Sequence, residues 1–116
     1  MVVEVDLYSG RPNPWFSLRP AAISELRRRI EALTPTTGGG GPYDGLGYRG
    51  LRVLTGPDDT AAEIVLSGGL VTLRNPDGSL RRLRDHGRTL ERWLLDQGVG
   101  KLDPEVVVTV RQELTR

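Results

Sequence analysis

The stretch AEIVLSGGLVTLRNPDGSLRRLRD, residues 62–85, decides the fold class because it alternates short apolar runs with turn signals. The Gly-Gly pair at 68–69 is typical of a tight hairpin, and NPDG at 75–78 is typical of a longer one. Both connections are too short for the crossover that parallel strands require. The stretch therefore predicts three consecutive antiparallel strands, a β-meander.

Two further strands are predicted outside the meander. In VVEVDLY, residues 2–8, Val3, Val5 and Leu7 alternate with more polar positions, which indicates a strand with one buried face. GLRVLTG, residues 50–56, is a second short strand. The prediction is thus a sheet of about five strands.

Helical periodicity appears in three segments. PAAISELRRRIEAL, residues 20–33, spaces its apolar residues by three and four, with Pro20 suited to a first helical position. HGRTLERWLLDQ, residues 86–97, follows Asp85 as a cap and precedes Gly98, which can close its C-terminal end. PEVVVTVRQELT, residues 104–115, begins with a proline, although its β-branched run could also form a strand. We interpret it as a helix.

The order of elements predicts one α+β domain over residues 1–116, with a mostly antiparallel sheet and helices packed on one face. A flexible glycine-rich loop is expected at about residues 34–50.

Composition removes several function classes. The 116 residues include no Cys and one His, which argues against disulfides, thiolate catalysis, zinc ribbons and iron–sulfur clusters, so we predict neither a metal nor a cofactor. The N-terminus does not resemble a signal peptide, and no apolar run approaches the roughly 18 residues of a membrane span, which predicts a cytoplasmic protein. The net charge of +1 is too balanced to indicate a nucleic-acid or membrane partner, and nucleic acid is not the expected ligand. A stripe of arginines on the sheet keeps that class as the weakest alternative; its members would be Arg74, Arg81, Arg82 and Arg84.

The strongest candidate for a binding site is SGRPNPWF, residues 9–16. Its two prolines fix the backbone and Asn13 can bond to its own backbone, so a rigid turn would hold Arg11 and Trp15 at low entropic cost. The glycine-rich loop would add an aromatic and cationic set to bind an anionic or planar ligand: Tyr43, Tyr48 and Arg49. The alternative is a structural turn whose aromatic residue fills the core and whose arginine bonds to loop carbonyls.

Catalytic motifs are weak. Asp85-His86 is the one carboxylate and imidazole pair close in sequence, and adjacent residues at a helix start usually point apart. The glycine-rich loop lacks the Lys-Ser/Thr ending of a phosphate-binding loop.

We therefore predict a non-catalytic binding or protein-interaction domain that binds a protein partner or a small anionic ligand. Such a domain would be an accessory protein in a biosynthetic or regulatory complex. A homodimer fits this prediction, since a small sheet leaves an edge to cover. The alternative is a small enzyme that holds an anionic metabolite with Arg11 and Arg49 and uses His86 or an aspartate as its base.

Several motifs together resemble a family of small bacterial and fungal proteins. They are SGRPNPWF, then an amphipathic helix, LGYRG at 46–50, and LERWLL at 90–95 before LDPE at 102–105. The resemblance implies that the turn, the Tyr48-Arg49 pair and the LERWLL helix belong to one fold, and it implies no function. The family pattern has a small residue before its aromatic position, where this chain has Trp15 before Phe16. Which of the two rings is buried stays open.

Overall fold

The sheet of the computed structural model, which describes residues 1–8, 10–37, 47–55 and 62–115, contains seven strands. Their bounds are β1 Val2–Asp6, β2 Trp15–Ser17, β3 Thr34–Pro35, β4 Gly50–Leu54, β5 Glu63–Ser67, β6 Leu70–Arg74 and β7 Leu80–Arg84. Every neighbouring pair is antiparallel, and the order across the sheet is β2-β1-β4-β5-β6-β7-β3.

Three α-helices accompany the sheet in the described part of the chain: α1 Pro20–Glu31, α2 Thr89–Asp96 and α3 Pro104–Leu114. The helical interpretation of the last segment is confirmed. Its N-cap Asp103 accepts a 2.9 Å hydrogen bond from the backbone N–H of Glu105, and Val107, Val110 and Leu114 are buried. A proline at the start and a carboxylate cap outweigh the strand preference of the valine run.

The core lies between one face of the sheet and the helices. Strand residues in register, such as Val3, Val53 and Ile64, point to this face and are buried. Helix α2 contacts β4 and β5, and Leu26 of α1 and Val110 of α3 belong to the same buried cluster. The described residues therefore form one compact α+β domain, as predicted. We call the opposite side of the sheet the outer face.

The expected number of strands was too low, because β2 and β3 lie within segments predicted as a turn and a loop. Each has three residues or fewer and sits at an edge of the sheet, where Pro14 and Pro35 are tolerated without a ladder N–H. Such short segments become strands through pairing with a neighbour. The loop predicted at 34–50 is therefore shorter at both ends, and its residues 38–46 lie outside the described residues.

The start of α2 also differs from the prediction. Residues His86–Arg88 form a 3₁₀ turn, Arg88 adopts a left-handed conformation with φ 56°, and the α-helix begins at Thr89. Asp85 still serves the helix, because its carboxylate accepts hydrogen bonds from the N–H groups of Leu90 at 2.8 Å and Glu91 at 3.1 Å.

Gly98 follows α2 for a different reason from the one predicted. Its φ is not positive, so it does not close the helix with a left-handed residue. A Cβ at this position would lie 2.7 Å from the ring of Phe16 and 2.8 Å from Leu102. The close approach of a buried aromatic ring explains the glycine.

Candidate functional site

Arg49 is held against the end of β1. Its Nε and Nη2 donate to Asp6 Oδ1 at 3.1 and 2.7 Å, and Nη2 also donates to the carbonyl of Tyr8 at 2.9 Å. The bond to the carboxylate raises the pKa of the Arg49 guanidinium. The predicted site residue Arg49 is thus an ion-pair partner of Asp6, which was not among the predicted site residues.

Asn13 ties the proline turn to the same place. Its Oδ1 accepts hydrogen bonds from the backbone N–H groups of Leu7 at 3.0 Å and Tyr8 at 2.7 Å, and its Nδ2 donates to Asp6 at 3.4 Å. The amide side chain replaces the ladder partners that β1 loses where its strand pairing ends. Asn13 is therefore the residue that fixes the turn to β1.

Arg11 lies over the ring of Tyr8, with its guanidinium carbon 3.7 Å from the ring centroid. This is the geometry of a cation–π contact. Three of the predicted site residues thus gather around the end of β1: Arg11, Asn13 and Arg49. Tyr43, a fourth, lies outside the described residues.

Tyr48 points the other way, into the core. Its hydroxyl donates to Glu91 Oε2, and Arg88 donates to the two oxygens of the same carboxylate at 3.0 Å and 2.9 Å. The side chain of Glu91 is entirely buried. Burial, followed by the negative charge of Glu91, raises the pKa of Tyr48 above its ordinary value of 10.0. This paired, inaccessible cluster has the character of a structural element.

Neither Glu91 nor Arg88 was predicted as a partner of Tyr48. A signal was present, because Glu91 lies three and four positions before the apolar residues Leu94 and Leu95, on a part of the helix that faces the core. A carboxylate in an apolar stripe needs a partner.

Trp15 and Phe16 take opposite faces of β2, as successive strand residues must. Phe16 is buried opposite Val3, whereas Trp15 lies opposite Glu4 on the outer face with 62% of its surface exposed. Of the two neighbouring aromatic residues, Phe16 is therefore the buried one. Trp15 shares its face with Glu4 and Asp6, since alternate residues of β1 point the same way.

The outer edge of β2 carries backbone groups next to Trp15. Val5 donates to the carbonyl of Pro14 at 2.8 Å, and Leu18 donates to the carbonyl of Met1 at 3.1 Å. Because hydrogen-bonded pairs alternate along an antiparallel ladder, Phe16 turns its N–H and C=O toward β1 and Trp15 turns its own outward. Trp15 therefore combines an exposed ring with outward backbone groups.

A groove of about 340 Å³ continues from the end of β2 toward the connection between α2 and α3. Its lining includes Leu18, Arg19, Lys101 and Asp96, which is paired with Arg111 at 3.1 Å, and the Lys101 ammonium donates a 2.6 Å hydrogen bond to the carbonyl of Ser17. The edge strand and the groove form a continuous surface. We call it the β2 edge, defined as Trp15 to Arg19 with Lys101.

The Asp85-His86 pair is divided between core and solvent. Asp85 is buried and accepts the two amide hydrogen bonds described above, while His86 is exposed. Within the described ranges, no cluster of three or more His, Asp or Glu side chains could hold a metal ion. No helix in the same part of the chain is long and apolar enough to cross a membrane.

Comparisons of this chain with protein-family models, with curated proteins and with solved structures found no match.

Proposed function

We propose that this chain is a non-catalytic protein-interaction domain that binds an extended segment of a partner protein along the β2 edge, with Trp15 as the central contact. An accessory subunit of a biosynthetic or regulatory complex would use such a domain. The observation that carries the proposal is the large exposed ring of Trp15 on an edge strand.

The rigidity of the turn supports this role. Pro12 and Pro14 restrict the backbone, Asn13 ties the turn to β1, and Phe16 is fixed in the core directly after Trp15. A tryptophan presented without loss of conformational freedom on binding is typical of an interface hot spot.

The edge itself favours recognition by strand addition. An extended segment that pairs with the outward N–H and C=O of Trp15 gains main-chain hydrogen bonds, while side-chain contacts provide specificity. Beyond β2 the segment would reach the groove beside Arg19 and Lys101. The partner chemistry that fits is an extended stretch with an apolar residue for Trp15, followed by a carboxylate.

The contacts of the polar residues favour a protein partner over a small anionic ligand. Arg49 already bonds to Asp6 and to the Tyr8 carbonyl, and Arg11 stacks on Tyr8. The Asp6 carboxylate already takes the position that an anionic ligand of Arg49 would occupy. Among the residues that the structure describes, no contact favours the alternative of an enzyme that uses His86.

Site-specific photo-cross-linking tests the proposal. A photoreactive phenylalanine derivative replaces Trp15 in one variant and, as a matched control, Val108, which is 54% exposed on α3. We expect position 15 to capture a defined protein in cell extract and position 108 to leave that protein uncaptured. Purified, the captured protein should bind the Trp15→Ala variant at least about tenfold more weakly than the Val108→Ala variant.

Equal capture from both positions would contradict the proposal, as would equal affinity of the two alanine variants. Capture of no protein by position 15 would contradict it as well.

A further inference from the structure

The β2 edge offers an incomplete set of backbone groups to a partner strand. Ser17 lies two positions after Trp15, so its N–H and C=O also point outward. The Ser17 carbonyl, however, already accepts the 2.6 Å hydrogen bond from the Lys101 ammonium. Three outward groups of β2 therefore remain without a partner among the residues that the structure describes: the N–H and C=O of Trp15 and the N–H of Ser17.

Two positive charges line the groove at this end of β2. Neither the Arg19 guanidinium nor the Lys101 ammonium has an ion pair with a described residue, and the ammonium keeps two hydrogens after its bond to Ser17. The Asp96 carboxylate in the same lining is paired with Arg111 at 3.1 Å. The groove therefore complements an anionic group.

We propose that the segment bound along the β2 edge is the C-terminal end of the partner protein, added as a parallel strand, with its terminal carboxylate on Lys101 and Arg19. This inference rests on the proposed function, because it specifies which part of a partner protein the edge recognises.

The free backbone groups match a parallel strand that ends here. In a parallel ladder, each residue bonds to the residues before and after the one that it faces. If the third-last partner residue faces Trp15, the Trp15 C=O and the Ser17 N–H bond to the N–H and C=O of the penultimate residue. The next bond of the ladder would need the Ser17 carbonyl, which Lys101 occupies. A chain that ends at this point has no further N–H and places a carboxylate beside the ammonium instead.

The opposite strand direction fits less well. In an antiparallel ladder, the residue that faces Ser17 forms both hydrogen bonds with it, so its N–H would compete with Lys101 for the Ser17 carbonyl. A chain that avoided this competition by starting there would bring a terminal ammonium close to Arg19 and Lys101, and like charges repel. The backbone groups and the charges thus favour the same end of the partner.

The register also assigns the partner side chains. Successive strand residues point to opposite faces, so the third-last residue lies beside the Trp15 ring on the outer face, and the penultimate residue points to the helix side. The groove of about 340 Å³ lies on that side and presents Ala22 and Val99, which is 52% exposed. We expect apolar side chains at both partner positions.

An array of short random peptides, attached through their N-termini, tests the proposal. Each peptide is made once with a free C-terminal carboxylate and once with a C-terminal amide. The purified full chain should bind a subset of the carboxylate peptides that have an apolar penultimate residue. It should bind their amides at least about tenfold more weakly, because the amide lacks the charge that Lys101 and Arg19 complement.

Lys101→Met separates recognition of the carboxylate from a structural role. The variant should lose the preference for carboxylate over amide, since it lacks the ammonium and its free Ser17 carbonyl can accept from the amide N–H. A purely structural effect would weaken both forms equally. Arg19→Gln should reduce the preference as well. Its matched control is Arg81→Gln, which removes an exposed charge from β7 on the other side of the sheet and should behave like the wild type. Circular dichroism verifies that every variant is folded.

The outcomes separate this inference from the proposed function. Selected peptides that bind equally well as carboxylates and amides, but at least about tenfold more weakly to Trp15→Ala, would overturn the C-terminal inference and leave the β2 edge as the partner site. An array without bound peptides, or an unchanged preference for carboxylate in Lys101→Met, would also overturn the inference. Peptides that bind Trp15→Ala as tightly as the wild type would contradict the proposed function too.

Discussion

Tyr48 donates its hydroxyl hydrogen to the fully buried carboxylate of Glu91, and this bond joins the strand side of the domain to helix α2 across 43 positions of the chain. Arg88 supplies the positive charge that balances the carboxylate. Arg88 lies directly before α2 and adopts the left-handed conformation that non-glycine residues seldom take.

Replacing Tyr48 by Phe should lower the free energy of unfolding by about 1–3 kcal/mol, since the buried carboxylate loses one of its donors. Urea unfolding measures the change. Tyr8→Phe is the control, because the Tyr8 hydroxyl makes no hydrogen bond among the described residues, and it should change stability by less than about 0.5 kcal/mol. Equal stability of Tyr48→Phe and the wild type would show that the bond contributes nothing.

Alkaline pH should destabilise the fold through the same phenol. Burial and the charge of Glu91 raise the pKa of Tyr48, so above pH 10.0 the folded protein keeps a proton that the unfolded chain releases. The contribution is fully present below that pH and is lost as the pH rises, at up to about 1.4 kcal/mol per pH unit. Urea titrations from about pH 8 to about pH 11 should show a steeper loss for the wild type than for Tyr48→Phe. Identical slopes would refute the assignment to Tyr48.

Asp85→Ala should cost about 2 kcal/mol, because two amide N–H groups at the start of α2 lose a buried acceptor. The exposed cap of α3 provides the comparison, and Asp103→Ala should cost about 1 kcal/mol. Hydrogen exchange at the Leu90 and Glu91 amides should accelerate in the first variant alone. Unchanged exchange at these amides would mean that Asp85 does not cap the helix.

Asn13→Ala should release the proline turn from β1 and lower the free energy of unfolding by about 1–2 kcal/mol, because two backbone N–H groups lose their acceptor. Exchange should accelerate at the amides of Leu7 and Tyr8. The control is Asn75→Ala in an exposed hairpin turn, where a change below about 0.5 kcal/mol is expected. Unaltered hydrogen exchange at Leu7 and Tyr8 in the Asn13→Ala variant would show that Asn13 does not hold the turn against β1.

Gly98→Ala should destabilise the domain by about 1–3 kcal/mol, since the added methyl group meets the Phe16 ring at 2.7 Å. The gain from a stiffer unfolded chain, at most about 1 kcal/mol, is too small to compensate. Adding Phe16→Leu should make the alanine less costly than it is beside phenylalanine. A Gly98→Ala protein that is more stable than the wild type would show that the Phe16 ring moves to accommodate the methyl group.

The meander was predictable because its signals are local. Gly68 and Gly69 both have positive φ values of 60° and 86°, as their hairpin requires, and the N–H of Gly78 closes the NPDG turn onto Asn75 at 2.9 Å. The apolar spacing of α1 and the proline start of α3 were equally readable from a few neighbouring residues. Strand β2 was not, since three residues after a proline become a strand only through the β1 partner.

In the candidate site, too, the local features were predictable and the long-range contacts were not. A rigid turn around Asn13 followed from its prolines, but the partner that Asn13 holds did not. Nothing near Arg49 in the chain indicates Asp6, which lies 43 positions away and is its partner through the pairing of β4 with β1.

The sequence by itself determined the α+β class, the antiparallel meander and the three helices, because turn conformation and apolar periodicity are properties of short segments. Only the tertiary structure decided that Phe16 is buried while Trp15 is exposed, that Glu91 is paired with Tyr48, and that Arg49 is paired with Asp6. Each of these results depends on strand register and on helix placement, and contacts between residues far apart in the chain set both.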